Sequence, residues 1–196
     1  MGILLRKKVL LAPYTTFKIG GPADYFCEVK NLKELKEALK QAQRNNWPFF
    51  VLGGGSNILI SDEGFRGLVI KIKNEEIKIK ETPQGFKFIC GAGALLSDVL
   101  QEAFKKEATG LEWAVGIPGT IGGAICGNSG AYGHSISEVT KEVEIFNPLT
   151  FKKEVLKSKD CQFSYRESIF KKKPLIIWRV TLILRKGSKI ASESLI

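Results

Sequence analysis

A short run of small and polar residues in the first third of the chain points to ligand chemistry. The residues are Gly53, Gly54, Gly55, Ser56 and Asn57. Glycine lets a ligand approach bare backbone, and successive N–H groups form a nest that binds anions such as a diphosphate. A Rossmann-type site would need a helix after the glycines, but residues 58–61 are typical of a strand. A hairpin turn is the alternative, although a single glycine would suffice for it.

A second glycine-rich stretch covers residues 116–133 and reads GIPGTIGGAICGNSGAYG. Pro118 and Gly119 are a typical turn pair, and residues 120–124 predict a short helical segment whose glycines let a flat ring approach. Asn128 and Tyr132 supply polar groups around such a ring. Two glycine stretches together indicate one large ligand with an anionic part and a flat part, and a flavin dinucleotide fits that description.

Arg166 is the candidate for chemistry on a substrate. It lies among polar residues, with Phe163 before them and Ile169 after them. A guanidinium is always protonated and binds carboxylates through two parallel N–H groups, so Arg166 would bind an acidic substrate or stabilise an enolate that develops from it. The alternative, which the pattern alone favours, is a structural ion pair with Glu167.

The cysteines give little support for metal or disulfide chemistry. They are Cys27, Cys90, Cys126 and Cys161, with no C-x-x-C pair among them. Free, mostly buried thiols are expected, and no metal site. A nucleophilic pair of Cys126 and His134 is an alternative, but the sequence places no carboxylate to orient the histidine.

The net charge of +10 raises the question of nucleic-acid binding. Lysine supplies most of the basic residues and often alternates with apolar residues, as in 77–80, which is typical of strands with one face in water. Arginine, which suits phosphate and guanine contacts, is scarce. We therefore expect no nucleic-acid partner. No apolar run is long enough to span a bilayer or to form a secretory signal, so a cytoplasmic location without membrane insertion is expected.

The rest of the chain predicts the elements that must hold these groups. Asn31 and Glu34 resemble a capping box, and apolar residues then recur at helical spacing as far as Ala42. A second apolar stripe at 96–104 predicts another helix. The predicted strands are 24–29, 49–52, 68–73, 77–80, 86–90, 142–147, 151–157 and 175–185. This order predicts an α+β protein of two small lobes that meet at the glycine segments.

Several longer motifs occur in order along the chain. They are TTFKIGGPAD at 15–24, LGGGSN at 52–57, TGLEWAVGIPGTIGGA at 109–124, NSGAYG at 128–133 and YRES at 165–168. Together they resemble the UDP-N-acetylenolpyruvoylglucosamine reductase (UDP-N-acetylmuramate dehydrogenase) family, flavoenzymes of peptidoglycan precursor synthesis. The resemblance runs from about residue 12 to residue 186.

The resemblance implies a two-lobe FAD-binding fold of the vanillyl-alcohol-oxidase-like (PCMH) type. It implies an FAD-binding domain at 18–187, with lobes 18–80 and 81–187, between an N-terminal segment 1–17 and a tail 188–196. Residues 53–57 would hold the FAD diphosphate. The other cofactor-lining residues would be Gly116, Ile117, Pro118, Gly119, Thr120, Gly122, Gly123, Asn128, Gly130, Ala131 and Tyr132.

The resemblance also implies the reaction. NADPH reduces the flavin, and the reduced flavin passes hydride to the enolpyruvyl double bond of a UDP-sugar, with Arg166 stabilising the enolate and Tyr165 binding the substrate. Members of the family continue into a C-terminal substrate-binding domain that supplies a serine or cysteine proton donor and an assisting glutamate. We expect that domain to be absent from this chain, which leaves two hypotheses: a shortened reductase, or an FAD-binding module that does not complete the reduction alone. The oligomeric state is not indicated.

Overall fold

The computed structural model describes residues 3–187, and the predicted tail at 188–196 lies outside them. The chain divides into two compact units, unit 1 up to Asn74 and unit 2 from Glu75. The strands are β1 (Arg6–Leu10), β2 (Pro22–Val29), β3 (Phe49–Leu52), β4 (Phe65–Ile72), β5 (Ile77–Thr82), β6 (Gly85–Gly91), β7 (Ala108–Thr109), β8 (Gly130–Ala131), β9 (His134–Ser135), β10 (Thr140–Asn147), β11 (Lys152–Lys157) and β12 (Ile176–Lys186). The α-helices are α1 (Leu32–Arg44), α2 (Leu96–Lys105), α3 (Ile121–Cys126) and α4 (Ile169–Lys172).

Unit 1 is built on a four-stranded sheet in the order β1-β2-β4-β3. β1 runs antiparallel to β2, whereas β4 is parallel to both β2 and β3. Parallel strands need long connections, and α1 provides the one between β2 and β3. Apolar residues pack into a core on this sheet: Leu11, Ala23, Phe26, Leu52 and Val69.

Helix α1 begins as the sequence predicts. The side chain of Asn31 accepts from the N–H of Glu34 at 3.0 Å, and the carboxylate of Glu34 accepts from the N–H of Lys30 at 2.6 Å. These bonds satisfy backbone donors that the first turn of a helix leaves without partners. The predicted apolar stripe is buried from Leu35 to Ala42.

The connection after β3 differs from the prediction. Residues 58–61 form no strand, and β3 and β4 run parallel, so the glycine loop is not a hairpin turn either. Ile58 and Ile60 instead pack against the core of unit 1, while Leu59 is exposed. The alternating pattern therefore reflects burial of one side of an irregular segment.

Unit 2 contains a larger antiparallel sheet in the order β11-β10-β12-β6-β5, with the short β7 paired to the end of β12. The central strand β12 is buried along most of its length, between Ile176 and Leu184. Helix α2 buries the predicted stripe, including Leu96, Val99 and Ala103. The sheet and helices provide the frame on which the glycine-rich segment 116–133 lies.

Most of the predicted strands are confirmed within three residues at each end. β1 and the two-residue strands β7, β8 and β9 were not predicted from the sequence. The lysines at 78 and 80 in β5 are exposed, as their alternation with apolar residues indicates. Of the helices within residues 3–187, none combines the length and apolar composition needed to cross a bilayer.

Candidate functional site

The glycine loop of unit 1 presents unused backbone donors. In the part of the chain that the structure describes, the N–H groups of residues 54–57 donate to no backbone carbonyl. Two carbonyls of the loop do have partners: Gly53 O accepts from Lys71 Nζ at 3.1 Å, and Gly55 O accepts from the N–H of Thr16 at 3.0 Å. The loop thus directs carbonyls toward the protein and leaves N–H groups for an anion, which fits the diphosphate of a dinucleotide.

Gly55 is required by close packing of the chain against itself. Its φ is +71°, and a Cβ at this position would lie 2.0 Å from the carbonyl oxygen of Tyr14. A residue with a side chain at this position would therefore prevent the loop from packing against residues 14–16. The sequence displays this glycine but does not show that the chain packs against it.

In unit 2, the start of α3 is fixed against the residues that follow β6. The N–H groups of Ile121 and Gly122 donate to the carbonyls of Ala94 and Ala92 at 2.8 and 2.9 Å. A Cβ at Gly122 would lie 2.9 Å from both the Cβ and the carbonyl oxygen of Ala92. The predicted helical segment is confirmed, and Gly122 is a glycine because two backbone segments approach closely there.

Gly116 and Gly123 leave more room. Gly116 has φ +79°, and among the described residues nothing lies within 4 Å of where its Cβ would be. Near Gly123 the nearest atom is Oγ1 of Thr120 at 3.5 Å, and that hydroxyl caps α3 by accepting from the N–H of Gly123 at 3.3 Å. At these two positions the glycine run therefore has room for an added carbon, unlike at Gly122.

A half-buried carboxylate stabilises the segment just before this run. Glu112 accepts from the hydroxyl of Thr109 and from the N–H of Gly110, the latter at 2.7 Å. Burial alone would raise the pKa of Glu112, but these bonds and those from nearby backbone N–H groups outweigh it and lower the pKa. The motif around residues 109–116 is thus held by a charge that the sequence analysis did not single out.

The segment that carries Arg166 is fastened to the glycine-rich run by buried side chains. The amide of Asn128, which is 6% exposed, donates to the carbonyl of Ser164 at 2.8 Å and accepts from the N–H of Ser137 at 3.3 Å. The hydroxyl of the fully buried Ser168 donates to the carbonyl of Cys126 at 2.7 Å. Two motifs far apart in the sequence therefore form one local structure.

Between these anchors the chain makes a tight turn. Ser164 and Glu167 exchange two backbone hydrogen bonds of 3.1 Å each, which leaves Tyr165 and Arg166 at the tip. Arg166 has φ +56°, an uncommon conformation for a residue with a side chain. Both tip side chains are exposed, Tyr165 at 89%.

The guanidinium of Arg166 turns toward the glycine-rich run. Its Nη2 donates to the carbonyl of Gly130 at 2.8 Å, and its carbon lies 5.9 Å from the ring centroid of Tyr165. Glu167, the alternative ion-pair partner, is 3.4 Å from Lys171 instead. Since a guanidinium has five N–H donors, Arg166 keeps donors for a carboxylate while one holds it in place.

The structure corrects the interpretation of His134. A carboxylate does lie beside it: Nδ1 of His134 is 2.9 Å from Oε2 of Glu138. The hydrogen bond with His134 and a second one from the N–H of Ser135 lower the pKa of Glu138. Both side chains are exposed at the start of a 3-10 turn that the same glutamate caps, so the pair is a surface feature. Within residues 3–187, no group of three His, Cys, Asp or Glu is placed to hold a metal ion.

The four thiols are free, as predicted, and three of them are buried. Burial raises the pKa of Cys27 and of Cys90 to about 12 and that of Cys161 to about 11, and it also raises the pKa of the half-buried Cys126. These directions are opposite to the activation that a nucleophilic cysteine needs.

We therefore expect the native thiols to be unreactive. Only the thiolate attacks DTNB, and at pH 8 a thiol of pKa about 12 is ionised to roughly one part in ten thousand. Native protein should release thionitrobenzoate at least about 100-fold more slowly than protein in guanidinium chloride. Rapid modification of one thiol, lost in Cys126→Ser, would instead identify Cys126 as an activated nucleophile.

The surface of unit 1 also has a cavity of about 350 Å³. Its lining residues are Lys7, Lys8, Asp24, Tyr25, Trp47, Arg66 and Gly67. Asp24 lies 2.5 Å from Lys8 and 3.2 Å from Arg66, and the hydrogen bond from Lys8 is the main cause of its lowered pKa. Lys8 and Arg66 thus share the cavity's one carboxylate, and the predicted site residues lie elsewhere.

Comparison with known families gives a match over the middle of the chain. Residues 23–149 match the family described as FAD binding domain. This range contains the loop at 53–57 and the whole run at 116–133, whereas Tyr165 and Arg166 lie beyond it.

Individual relatives extend the match to nearly the whole chain. The UDP-N-acetylenolpyruvoylglucosamine reductase of Solibacter usitatus is 39% identical over 178 residues, which are 90% of this chain and 55% of that protein. The solved structure of the UDP-N-acetylenolpyruvylglucosamine reductase from Thermus caldophilus is 32% identical, with a TM-score of 0.81 over 98% of this chain and 67% of that one. The resemblance derived from the motifs is confirmed, and the chain spans little more than half the length of the curated relatives it matches.

A more distant likeness bears on the fold. A VAO-type flavoprotein from Myceliophthora thermophila superposes with a TM-score of 0.63 at 20% identity, over 84% of this chain and 32% of that one. At this identity the likeness shows the fold alone. The predicted α+β fold of the vanillyl-alcohol-oxidase-like type is confirmed.

Proposed function

The chain belongs to the family of FAD binding domains, and from this we propose that it is the flavin-binding part of a UDP-N-acetylenolpyruvoylglucosamine reductase. In the proposed reaction bound FAD would supply hydride, obtained from NADPH, for reduction of the enolpyruvyl group of a UDP-sugar. The observation that carries the proposal is the turn at Tyr165 and Arg166, which Asn128 and Ser168 fasten to the glycine-rich run. An exposed guanidinium beside a segment suited to a flat ring is what hydride transfer to an acidic substrate requires.

The glycine loop of unit 1 is proposed to hold the diphosphate. Its N–H groups at residues 54–57 are free of backbone partners within the described chain, and Ser56 and Asn57 add side-chain donors. The other proposed cofactor-binding residues are Gly53, Gly116, Ile117, Pro118, Gly119, Thr120, Gly122, Gly123, Asn128, Gly130, Ala131 and Tyr132. The open space at Gly116 supports this assignment most directly. Gly122 and Asn128 are proposed to contribute by holding the backbone around the cofactor in place.

When bound, FAD supplies the hydride. Its addition to the terminal carbon of an enolpyruvyl group leaves negative charge on the carbon beside the carboxylate and on the carboxylate oxygens. Arg166 would meet this charge with donors already in place, because one bond to Gly130 O fixes the guanidinium. Donors that need no reorganisation lower the barrier most effectively. Tyr165, at the same tip, is proposed to contact the substrate.

The biological setting follows from the same proposal. The product would be UDP-N-acetylmuramate, a precursor of peptidoglycan, so we place the protein in cell-wall biogenesis, cell shape and cell division. Because NADPH and nucleotide sugars are found in the cytoplasm, we propose a cytoplasmic location. No nucleic-acid partner is proposed.

A second candidate function follows from the coverage of the relatives. Because the chain spans 55% of the Solibacter protein, it would hold FAD and accept electrons from NADPH but need the remaining length of the relatives to complete the reduction. That remaining length is where the resemblance places the proton donor.

We expect the purified 196-residue chain to take up FAD and become yellow. Anaerobic NADPH should then bleach the flavin absorbance near 450 nm. Recolouring by UDP-N-acetylenolpyruvoylglucosamine identifies the reductase, whereas a flavin that stays bleached identifies the second candidate. A chain that takes up no FAD under any condition would overturn both.

A further inference from the structure

Lys71 lies where the sheet of unit 1 meets the glycine loop. Strands β3 and β4 are parallel, and their register places Lys71 opposite Leu52, the last residue before the loop. The lysine is half-buried, with Nζ 3.1 Å from Gly53 O and 5.7 Å from the ring centroid of Tyr14. A lysine in this position differs from the solvated strand lysines at 78 and 80, which are exposed.

The contact with Gly53 O determines which way the loop presents its donors. A trans peptide is planar, so the carbonyl of one residue and the N–H of the next point in opposite directions. Because Lys71 binds the carbonyl of Gly53, the N–H of Gly54 points away from Lys71. The N–H of Thr16 binds the carbonyl of Gly55 in the same manner, so the N–H of Ser56 points away from residue 16. Alternate peptides of the loop are thereby fixed with donors outward.

The ammonium group also brings charge to the loop. A diphosphate held by backbone N–H groups alone keeps its full negative charge, and half-buried charges are screened by salt less than exposed ones. The ring of Tyr14 and the carbonyl of Gly53 hold this ammonium where the loop begins. One lysine can thus orient the donors and add to the electrostatic attraction between the loop and an anion.

We propose that Lys71 is a positioning residue of the cofactor site, which fixes the donor-outward conformation of residues 53–57 and places a positive charge behind the loop that holds the diphosphate of FAD. The inference rests on the proposed function, since it takes the ligand of this loop to be that diphosphate.

The test compares Lys71→Met with Lys36→Met, which removes the same charge from an exposed position on α1 in the same unit. Flavin fluorescence titration gives the dissociation constants for FAD and for riboflavin, which lacks the diphosphate. We expect Lys71→Met to weaken FAD binding about 10- to 100-fold and to leave riboflavin binding close to wild type, whereas Lys36→Met changes neither.

Each other outcome has a defined meaning. Equal FAD affinity in Lys71→Met and wild type overturns the inference, as does an equal loss for FAD and riboflavin, because the lysine would then support the fold and not the diphosphate. If Lys71→Met does not fold, Lys71→Arg should retain FAD affinity and Lys71→Gln should lose it, and equal affinity in those two also overturns the inference. Wild-type protein that binds no FAD refutes the proposed function itself, and this result is seen before any variant is made.

Discussion

Replacing Gly55 by alanine is expected to lower the free energy of unfolding of unit 1 by about 2–5 kcal/mol, through backbone strain and steric overlap together. The backbone at Gly55 has φ +71°, which disfavours any residue with a Cβ, and that Cβ would lie 2.0 Å from the carbonyl oxygen of Tyr14. A backbone oxygen cannot move aside as the end of a flexible side chain can. The loop must therefore separate from residues 14–16, which breaks the bond between Thr16 N–H and Gly55 O. Guanidinium chloride titration, with hydrogen exchange of peptides from unit 1, measures the loss.

Gly116→Ala is the matched comparison. Its φ of +79° gives similar strain, but within the described chain nothing lies within 4 Å of the added carbon. The expected loss of unfolding free energy is only about 1–2 kcal/mol. FAD affinity should fall nonetheless, because the new carbon enters the space proposed for the cofactor. Equal losses of stability in the two variants would contradict the packing argument for Gly55.

The elements predicted correctly are those whose signals are local. The start of α1 depends on Asn31 and Glu34, which lie three residues apart, and its buried face depends on spacing within one helix. The cofactor family could be identified because the glycine loop and run depend on small residues at fixed positions, which the sequence displays directly.

The segment 58–61 shows where local signals fail. Its residues alternate in burial as a strand would, since Ile58 and Ile60 contact the core and Leu59 does not. A strand also needs a partner strand, and among the described residues 58–61 pair with none. Periodicity reports which side is buried, not whether a partner strand exists.

Lys71 and Asn128 show a related limit, because each makes contacts with segments far away in the sequence. Lysines that alternate with apolar residues predict a solvated strand face, but the parallel register with β3 brings Lys71 to the glycine loop. The amide of Asn128, a proposed cofactor-binding residue, also bridges Ser164 and Ser137. Register and contacts between distant segments depend on the whole fold, and one sequence does not display them.

Replacement of Arg166 by methionine should slow the oxidation of reduced FAD by UDP-N-acetylenolpyruvoylglucosamine by about 10²–10³-fold, the usual effect of removing one preorganised donor to developing negative charge. The reduction of FAD by NADPH should stay close to wild type, because no charge develops on a carboxylate in that half-reaction. Anaerobic stopped-flow absorbance measures both half-reactions separately. The measurement needs a wild-type protein whose reduced FAD is oxidised by the substrate. This protein is the 196-residue chain or, if that chain is inactive, the chain joined to the remaining length of a relative.

Two further variants separate position from charge. Arg185→Met removes an exposed arginine from β12 in the same unit and should leave both half-reactions unchanged. Arg166→Lys keeps a positive charge, but an ammonium group cannot bind Gly130 O and also offer a bidentate pair of donors to the substrate carboxylate. Its rate of flavin oxidation should therefore lie between those of wild type and Arg166→Met. If the lysine variant has the wild-type oxidation rate, positive charge alone is sufficient, and the guanidinium geometry held by Gly130 O does not contribute to catalysis. If the methionine variant slows both half-reactions equally, Arg166 supports the turn or the cofactor site as a whole, and stabilisation of the enolate would have to come from another group.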